Sequence, residues 1–161
     1  MEAYVSLGKD WTMEELENFA AQQDGYLGWV GVRISPEDQQ LFPLMGFDAN
    51  SSGYIWENVD AVYPFYELSM HEDVPLAEAW KKHFLALLQY SIDQGDFYAR
   101  LNQSNDHGNA CQAVQKYVTE NGVKTYGFLY YGTPAEMRKL LENEDVEGIY
   151  VTDYQLRVPG L

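Results

Sequence analysis

The side chains best suited to chemistry in this sequence are three histidines and a single cysteine. A zinc hydrolase of the HExxH type needs two histidines one helical turn apart, with a glutamate between them as general base. His71, His83 and His107 are too scattered for that pattern, so they are interpreted as ordinary loop or helix residues. Cys111 lies on the apolar face of a predicted helix, which favours a small buried residue over a nucleophile, and no histidine has a spacing that marks it as a base for the thiol. The sequence therefore predicts no catalytic residues, no metal site and no cofactor.

A polar run that begins at position 48 comes close to a calcium-binding loop. Its residues match an EF-hand loop at the first, third, fifth and sixth positions, which are Asp48, Asn50, Ser52 and Gly53. The twelfth position is Val59, where the loop needs a glutamate that supplies two oxygens. We therefore expect the loop to be empty at micromolar calcium. The alternative interpretation is a polar turn rich in Asp, Asn and Gly.

Aromatic residues are concentrated between positions 54 and 66, where they alternate with carboxylates. The rings are those of Tyr54, Trp56, Tyr63, Phe65 and Tyr66. Rings beside carboxylates suit sugar and peptide sites, because the rings stack on a ligand and the carboxylates accept its hydrogen bonds. These residues are therefore the predicted ligand-binding residues. A satellite core beneath a long insertion would have the same composition, and it is the alternative.

Charge and composition limit the class of protein. The 161 residues include 25 acidic and 10 basic side chains, for a formal charge of −15. The 46% hydrophobic and 15% aromatic content excludes a disordered tail. Nucleic acid and anionic membrane surfaces are held by clustered Lys and Arg, which the sequence lacks, so neither is an expected partner.

Targeting signals and cysteine usage say little about compartment. The opening MEAYVSLGKDW lacks the basic and then apolar regions of a signal peptide, and no stretch approaches the ~18–20 apolar residues of a membrane span. We expect the chain as given to be neither exported by its own signal nor anchored by itself. The single cysteine fits a cytosolic or a bacterial exported protein equally well.

Residues 1–35 have the pattern strand, helix, strand. Two sets of alternating apolar residues mark the strands, namely Ala3, Val5 and Leu7, then Val30, Val32 and Ile34. Between them, Thr12 and Glu15 have the spacing of a capping box, which begins a helix. We expect this helix to end near Asp24-Gly25.

Residues 123–155 repeat this plan. The segment TYGFLYYG is apolar on both faces, as in a central strand, and VEGIYVTD is a closing strand with Ile149 and Val151 inward. Thr133 and Glu136 form a second capping box between the strands, and Pro134 occupies the first helical position.

The two βαβ units predict an α+β fold with a ferredoxin-like antiparallel sheet, in which all four strands share a single sheet. Residues 36–122 form a largely helical insertion between the second and third strands, with one helix opened by Pro75 and another from Asn109, stopped by Asn121-Gly122. We expect one domain over residues 1–161, made of the βαβ unit 1–35, the insertion 36–122 and the βαβ unit 123–155. A long insertion in a compact domain is often functional.

These segments resemble the C-terminal domain of membrane-anchored regulators of extracytoplasmic-function (ECF) sigma factors in Gram-positive bacteria. AYVSL, LGWVGVRI and GFDANSSG resemble the opening of that domain. NGVKTYGFLYYGTPAEMRKLLENEDVEGIYV resembles its ending, where a strand reaches a Gly-Thr-Pro turn that begins the last helix. The likeness covers the beginning and the end of the chain, and the middle insertion lies outside it.

The resemblance implies a non-catalytic extracytoplasmic sensing or regulatory domain of an anti-sigma factor. In that family a cytoplasmic segment holds the sigma factor and one helix crosses the membrane, so the resemblance implies either an excised domain or a soluble relative. It implies an unknown extracytoplasmic ligand or protein as partner, with membrane association only through a segment absent from this chain. Two alternatives remain open, namely a soluble binding module for a sugar, peptide or protein partner, and an unrecognised hydrolase or transferase.

Overall fold

The structure is a computed structural model that describes residues 1–36, 44–50, 59–102 and 106–154. Along the chain the strands and α-helices are β1 (Glu2–Thr12), α1 (Met13–Ala20), β2 (Tyr26–Val32), β3 (Gly46–Asp48), α2 (Val59–Val62), α3 (Leu76–Asp93), α4 (Gly95–Asn102), α5 (Asp106–Asn121), β4 (Lys124–Tyr131), α6 (Pro134–Leu140) and β5 (Val146–Asp153). A short 3-10 helix at Leu68–Met70 precedes α3.

The strands form one antiparallel sheet in the order β3-β2-β4-β1-β5. The prediction that the four strands of the two βαβ units share a single sheet is confirmed. The fold is a mixed α and β architecture with a five-stranded antiparallel sheet and, in the described parts of the chain, six α-helices. Strand order and helix placement differ from a plain ferredoxin-like sandwich, because β3 extends the edge beside β2 and α2 to α5 are inserted.

One face of the sheet forms the core. Ala3, Val5 and Leu7 are at most 7% exposed, as the alternation in β1 predicts. Helical side chains join the same core, namely Met13 and Leu16 of α1, Trp80, Phe84 and Leu88 of α3, Val114 and Val118 of α5, and Met137 and Leu140 of α6. The helices therefore cover this face of the sheet.

Both predicted capping boxes are present. The Glu15 backbone N–H donates to Thr12 Oγ1, and the Thr12 N–H donates back to the Glu15 carboxylate, so α1 begins at Met13. Thr133 and Glu136 make the same pair of bonds at the start of α6. Each box satisfies backbone donors that a helix start otherwise leaves without partners.

The insertion is attached to the sheet through α3. Trp80 is 2% exposed, its ring lies 6.3 Å from that of Phe47 on β3, and its Nε1–H donates to the Ala49 carbonyl over 3.1 Å. At the start of α3, the Leu76 N–H donates to the Glu17 carboxylate of α1. These contacts fix the helical insertion against β3 and α1.

Two predicted details are wrong. Helix α1 ends at Ala20 instead of near Asp24-Gly25, because its last turn tightens into bonds from Gln22 and Gln23 to carbonyls three residues back. Val151 was expected inward, yet it is 40% exposed, since β5 is an edge strand. The short elements β3, α2 and α4 were not predicted.

Candidate binding surfaces

The predicted ligand-binding residues divide into two groups. Tyr63, Phe65 and Tyr66 lie between α2 and α3 and are half-buried. Tyr54 and Trp56 lie outside the described residues. The structure therefore brings together the three described members and does not place the other two.

The described rings pack against α3. The rings of Tyr63 and Tyr66 meet the Tyr90 ring edge-on, with centroids 5.4 and 5.1 Å apart. The Tyr63 hydroxyl donates to Asp93 Oδ2 over 3.1 Å. We call Tyr63, Phe65, Tyr66, His71 and Tyr90 the insertion cluster.

Phe65 has an unusual backbone in this cluster. Its φ is 71°, in the left-handed region that side chains other than glycine seldom adopt. Its ring stacks on His71 with centroids 3.9 Å apart, and the Lys82 ammonium lies 4.6 Å from the ring centroid on the α3 side. His71 Nε2 lies 2.9 Å from Asp60 Oδ2. Stacking and cation–π contact therefore hold Phe65 in this conformation.

His83 supports the same turn from within the protein. It is 2% exposed, and its Nδ1 lies 2.8 Å from the Phe65 carbonyl oxygen, so Nδ1 carries the proton and donates. Burial lowers the pKa of His83 below its ordinary value, although bonds to the Phe65 and Tyr66 backbone oppose this shift. The neutral ring is a structural hydrogen-bond donor for the insertion cluster.

The environment of Cys111 corrects one expectation. His107 precedes Cys111 by one turn of α5, and its Nε2 lies 3.7 Å from Cys111 Sγ. The prediction that no histidine is spaced to act as a base for this thiol is therefore wrong. However, the thiol is 2% exposed, and burial raises the pKa of Cys111. A protonated, buried thiol is a weak nucleophile, so Cys111 acts as a core residue, whereas His107 is exposed on the surface of α5.

The calcium-like run is a turn where the structure describes it. The Asn50 N–H donates to Asp48 Oδ1 over 2.9 Å, which is an Asx turn, and the Asn50 side-chain amide donates to the Leu27 carbonyl. Ser52 and Gly53 lie outside the described residues, and Val59 begins α2. An empty calcium loop stays a prediction.

The face of the sheet that the core helices do not cover is crossed by a row of small residues. Ser6 of β1 pairs with Gly148 of β5 and Gly127 of β4. Gly31 of β2 pairs with Gly127 and with Gly46 of β3. The row therefore crosses all five strands, and Ser6 is its only residue that is not glycine. Because these side chains are so small, the row forms a shallow trough. We call this side of the sheet the open sheet face.

Two aromatic rings lie flat on one end of this trough. A Cβ atom built on Gly46 would be 2.3 Å from Trp29 Cζ2, and one on Gly31 would be 2.8 Å from Tyr126 Cζ. Only glycine permits rings this close to the strand, so the glycines position Trp29 and Tyr126. The Arg33 guanidinium lies 5.1 Å from the Tyr126 ring centroid and is held by two short bonds to Asp10, of 2.8 and 2.9 Å.

These rings border a groove of about 450 Å³. Its side-chain lining consists of Tyr4, Ser6, Trp29, Leu44, Tyr126 and Leu129, and we call it the aromatic groove. Tyr4 and Leu44 are 50% and 58% exposed. The Tyr126 hydroxyl is buried without a hydrogen-bond partner among the described residues, and burial raises the pKa of Tyr126. The groove thus offers mainly apolar walls.

A second hollow of about 550 Å³ lies on the same face, where β1 begins and β4 and β5 end. Its lining includes Glu2, Asp24, Tyr26, Tyr131, Asp153 and Tyr154, and we call it the tyrosine cleft. Tyr26 and Tyr131 stack with centroids 4.7 Å apart. Two hydrogen bonds lower the pKa of Glu2, and the bond from Thr152 has a larger effect than the bond from Tyr131. The bond to Glu2 in turn raises the pKa of Tyr131. The carboxylate of Glu2 is therefore held in its charged form.

Sequence reasoning missed both hollows, although a signal was present. In the strand segments YLGWVGV and TYGFLYYG, aromatic residues alternate with glycines, which is unusual in a strand covered on both faces. What the sequence does not reveal is that Tyr4, Trp29 and Tyr126 meet on one face.

The fold and these surfaces define a class of α+β domain with one helix-covered and one open sheet face. Over residues 1–153 the chain matches the model of the family described as Sigma factor regulator C-terminal, and it belongs to that family. The resemblance inferred from sequence is thereby confirmed, and it connects the chain with anti-sigma factors, sigma factor regulation and signal transduction. No curated protein and no solved structure matches the chain. Within the described ranges, no helix has both the length and the apolar character that a membrane crossing requires.

Proposed function

We propose that this chain is the extracytoplasmic regulatory domain of a membrane-anchored anti-sigma factor that controls an ECF sigma factor. Family membership over residues 1–153 is the observation that carries the proposal. The open sheet face adds support, because a regulatory domain needs a surface for its signal, and contiguous exposed rings mark interaction sites.

The domain acts by binding and not by catalysis. Two of the side chains that a catalytic mechanism would use are engaged in the fold, since His83 donates to the Phe65 carbonyl and Cys111 is a buried thiol. The expected partner is an extracytoplasmic ligand or protein. A net charge of −15 disfavours nucleic acid, and association with the membrane would occur through a segment outside this chain.

Two recognition surfaces are proposed. The open sheet face is the main one, because its rings Tyr4, Tyr26 and Tyr150 are exposed. The second is the segment predicted from sequence, with Tyr54, Trp56, Tyr63, Phe65 and Tyr66, where a hollow of about 240 Å³ adjoins Tyr63, Phe65 and Lys82. Ring contacts with α3 support a packing role for the described members, and the binding role rests on the hollow beside Tyr63 and Phe65.

We also propose that the sheet has a ferredoxin-like arrangement and that residues 1–161 form one domain. Its support is that β2, β4, β1 and β5 are neighbours in that order, so a strand of the other unit separates the two strands of each βαβ unit. β3 and the inserted helices are then additions to that core.

The location outside the cytoplasm is tested by thiol labelling of the full-length protein in intact cells. Ser69 is exposed in the 3-10 helix, whereas Cys111 is 2% exposed, so labelling of the wild-type protein gives the background to be subtracted. We expect the Ser69→Cys variant to react with a membrane-impermeant maleimide before lysis. Reaction only after lysis would place the domain in the cytoplasm and contradict the proposal.

The regulatory role is tested with a reporter that depends on the cognate sigma factor. Deletion of this domain from the full-length regulator should change the reporter's response to cell-envelope stress. An unchanged response would favour the alternative of a soluble binding module for a sugar, peptide or protein partner, which the groove and cleft on the open sheet face also support.

A further inference from the structure

We propose that the open sheet face binds an extended segment of a partner protein that carries an apolar side chain and, four residues away, a lysine or arginine. This inference deepens the proposed function, since it names the partner of the recognition surface. It depends on the aromatic groove and the tyrosine cleft, which lie on the same face of β1.

The spacing follows from β1. Ser6 and Tyr4 line the aromatic groove, and Glu2 lines the tyrosine cleft, so all three point to the open sheet face from alternate positions. From Ser6 to Glu2 the strand rises about 13 Å, at ~3.3 Å per residue. An extended partner segment that runs along the strands covers this distance with about four residues, and the side chains at both ends point to the same side.

The aromatic groove accepts the apolar side chain. Tyr4, Leu129 and Leu44 supply apolar wall, and Ser6 and Gly127 form a low floor on which a side chain can rest. Apolar surface of both partners would leave water together.

The tyrosine cleft accepts the cation. Tyr26 and Tyr131 present a stacked pair of rings, and Glu2, Asp24 and Asp153 supply negative charge around them. An ammonium or guanidinium group gains both ion pairing and cation–π contact in such a place.

Charge complementarity selects this partner over a second copy of the chain. Each of two copies would carry a net charge of −15, so their carboxylates would repel each other across the interface. A basic segment is instead attracted to the protein as a whole, and its association would weaken as salt concentration rises.

The test is calorimetric titration of this chain with short synthetic peptides. The probe has a leucine and an arginine four residues apart in a Ser/Thr-rich extended sequence. Matched control peptides either replace the arginine by glutamate or place it three residues from the leucine, which turns it to the other side of an extended strand. We expect saturable binding of the probe and at least tenfold weaker binding of both controls.

Protein variants locate the site. Leu44→Ser changes the groove at a residue outside the strands, and Asp24→Asn with Asp153→Asn removes two carboxylates from the cleft lining. Each variant should weaken the probe's binding by about tenfold, a typical effect for an anchor side chain. The cleft variant should also show a smaller salt dependence, because two of the charges that attract the cation are gone. Glu72→Gln with Asp73→Asn removes two exposed carboxylates elsewhere, so it is the matched charge control and should bind like wild type.

Equal binding of the three peptides, or unchanged binding by the variants, would overturn the inference. If the peptides fail while domain deletion still changes the sigma-dependent reporter, the proposed function stands and only the partner assigned here is wrong. If the peptides bind while the reporter is unaffected, the binding site stands and the regulatory role is wrong.

Discussion

Aromatic rings are concentrated in two regions of the molecule, the insertion cluster and the open sheet face. In the insertion cluster, each ring contacts another aromatic or histidine ring of the cluster. On the open sheet face, Tyr4 and Tyr150 pair across β1 and β5, yet they are 50% and 71% exposed. The rings that are close in sequence therefore contact one another, whereas the exposed rings of the open sheet face, Tyr4, Tyr26 and Tyr150, come from three separate strands.

Secondary structure explains this difference. A loop that packs on a helix turns its rings toward the helix, because burial of apolar surface is what holds the loop in place. A strand turns alternate side chains to opposite faces, so a sheet with helices on one side must present every second residue on the other. Local concentration of rings is thus a poorer guide to an accessible site than alternation in strands.

The largest expected contrast is between Trp80, which joins the insertion to the sheet, and Tyr4 of the open sheet face. Trp80→Ala removes a ring that is 2% exposed and its bond to Ala49, so it should lower the free energy of unfolding by about 3–5 kcal/mol. Tyr4→Ala should cost about 1 kcal/mol or less, since half of its surface is already in water. Urea unfolding measures both, and similar losses would contradict the comparison.

Acid should weaken the insertion cluster before the open sheet face through His83. Burial lowers the pKa of His83 in the folded protein below its ordinary 6.5, so between these values the unfolded chain binds more protons. Stability is then complete above about pH 6.5 and falls as pH decreases toward the folded pKa. The carboxylates Glu14 and Glu136, whose pKa values are lowered from 4.5, lose their contribution only at more acidic pH.

The matched variant is His83→Asn, whose amide can replace the Nδ1–H donor without titrating. Unfolding by urea at about pH 7.5 and about pH 5.5 should show a smaller decrease for the variant than for wild type. Equal decreases would mean that another group carries the pH dependence.

The capping box of α6 lies beside the tyrosine cleft, and its contribution to the stability of the protein can be measured. Thr133→Ala removes the acceptor for the Glu136 N–H and should lower stability by about 1 kcal/mol. Thr133→Ser keeps the hydroxyl and is the control. Thermal melts of Thr133→Ala that coincide with wild type would show that the cap contributes nothing.

Local signals also explain how far the sequence predicts the structure. The capping boxes at Thr12 and Thr133, the helix after Pro75 and the four main strands depend on periodicity and short-range spacing, and all were predictable. The three-residue β3 carries no period long enough to detect, and it exists because Val30 of β2 pairs with Phe47.

The candidate sites were harder to predict, because they arise from long-range contacts. The aromatic groove requires β1, β2 and β4 to become neighbours, so that residues as distant as Tyr4, Trp29 and Tyr126 line one hollow. The Cys111–His107 contact differs from these sites, because it is local and its spacing of one helical turn is visible in the sequence.

The smallest expected effect separates packing from recognition in the insertion cluster itself. Tyr66 and Tyr90 have ring centroids 5.1 Å apart at an interplanar angle of 60°, a geometry in which one ring edge meets the other ring face. If this contact stabilises the fold, a double-mutant cycle of Tyr66→Leu and Tyr90→Leu should give a coupling of about 0.5–1 kcal/mol in the free energy of unfolding. Leucine keeps apolar volume at each position, so the coupling reports ring geometry and not a cavity. A coupling near zero, together with unchanged stability of Tyr66→Leu, would show that the contact between these two rings does not stabilise the fold. The predicted segment 54–66 would then be the stronger candidate for recognition.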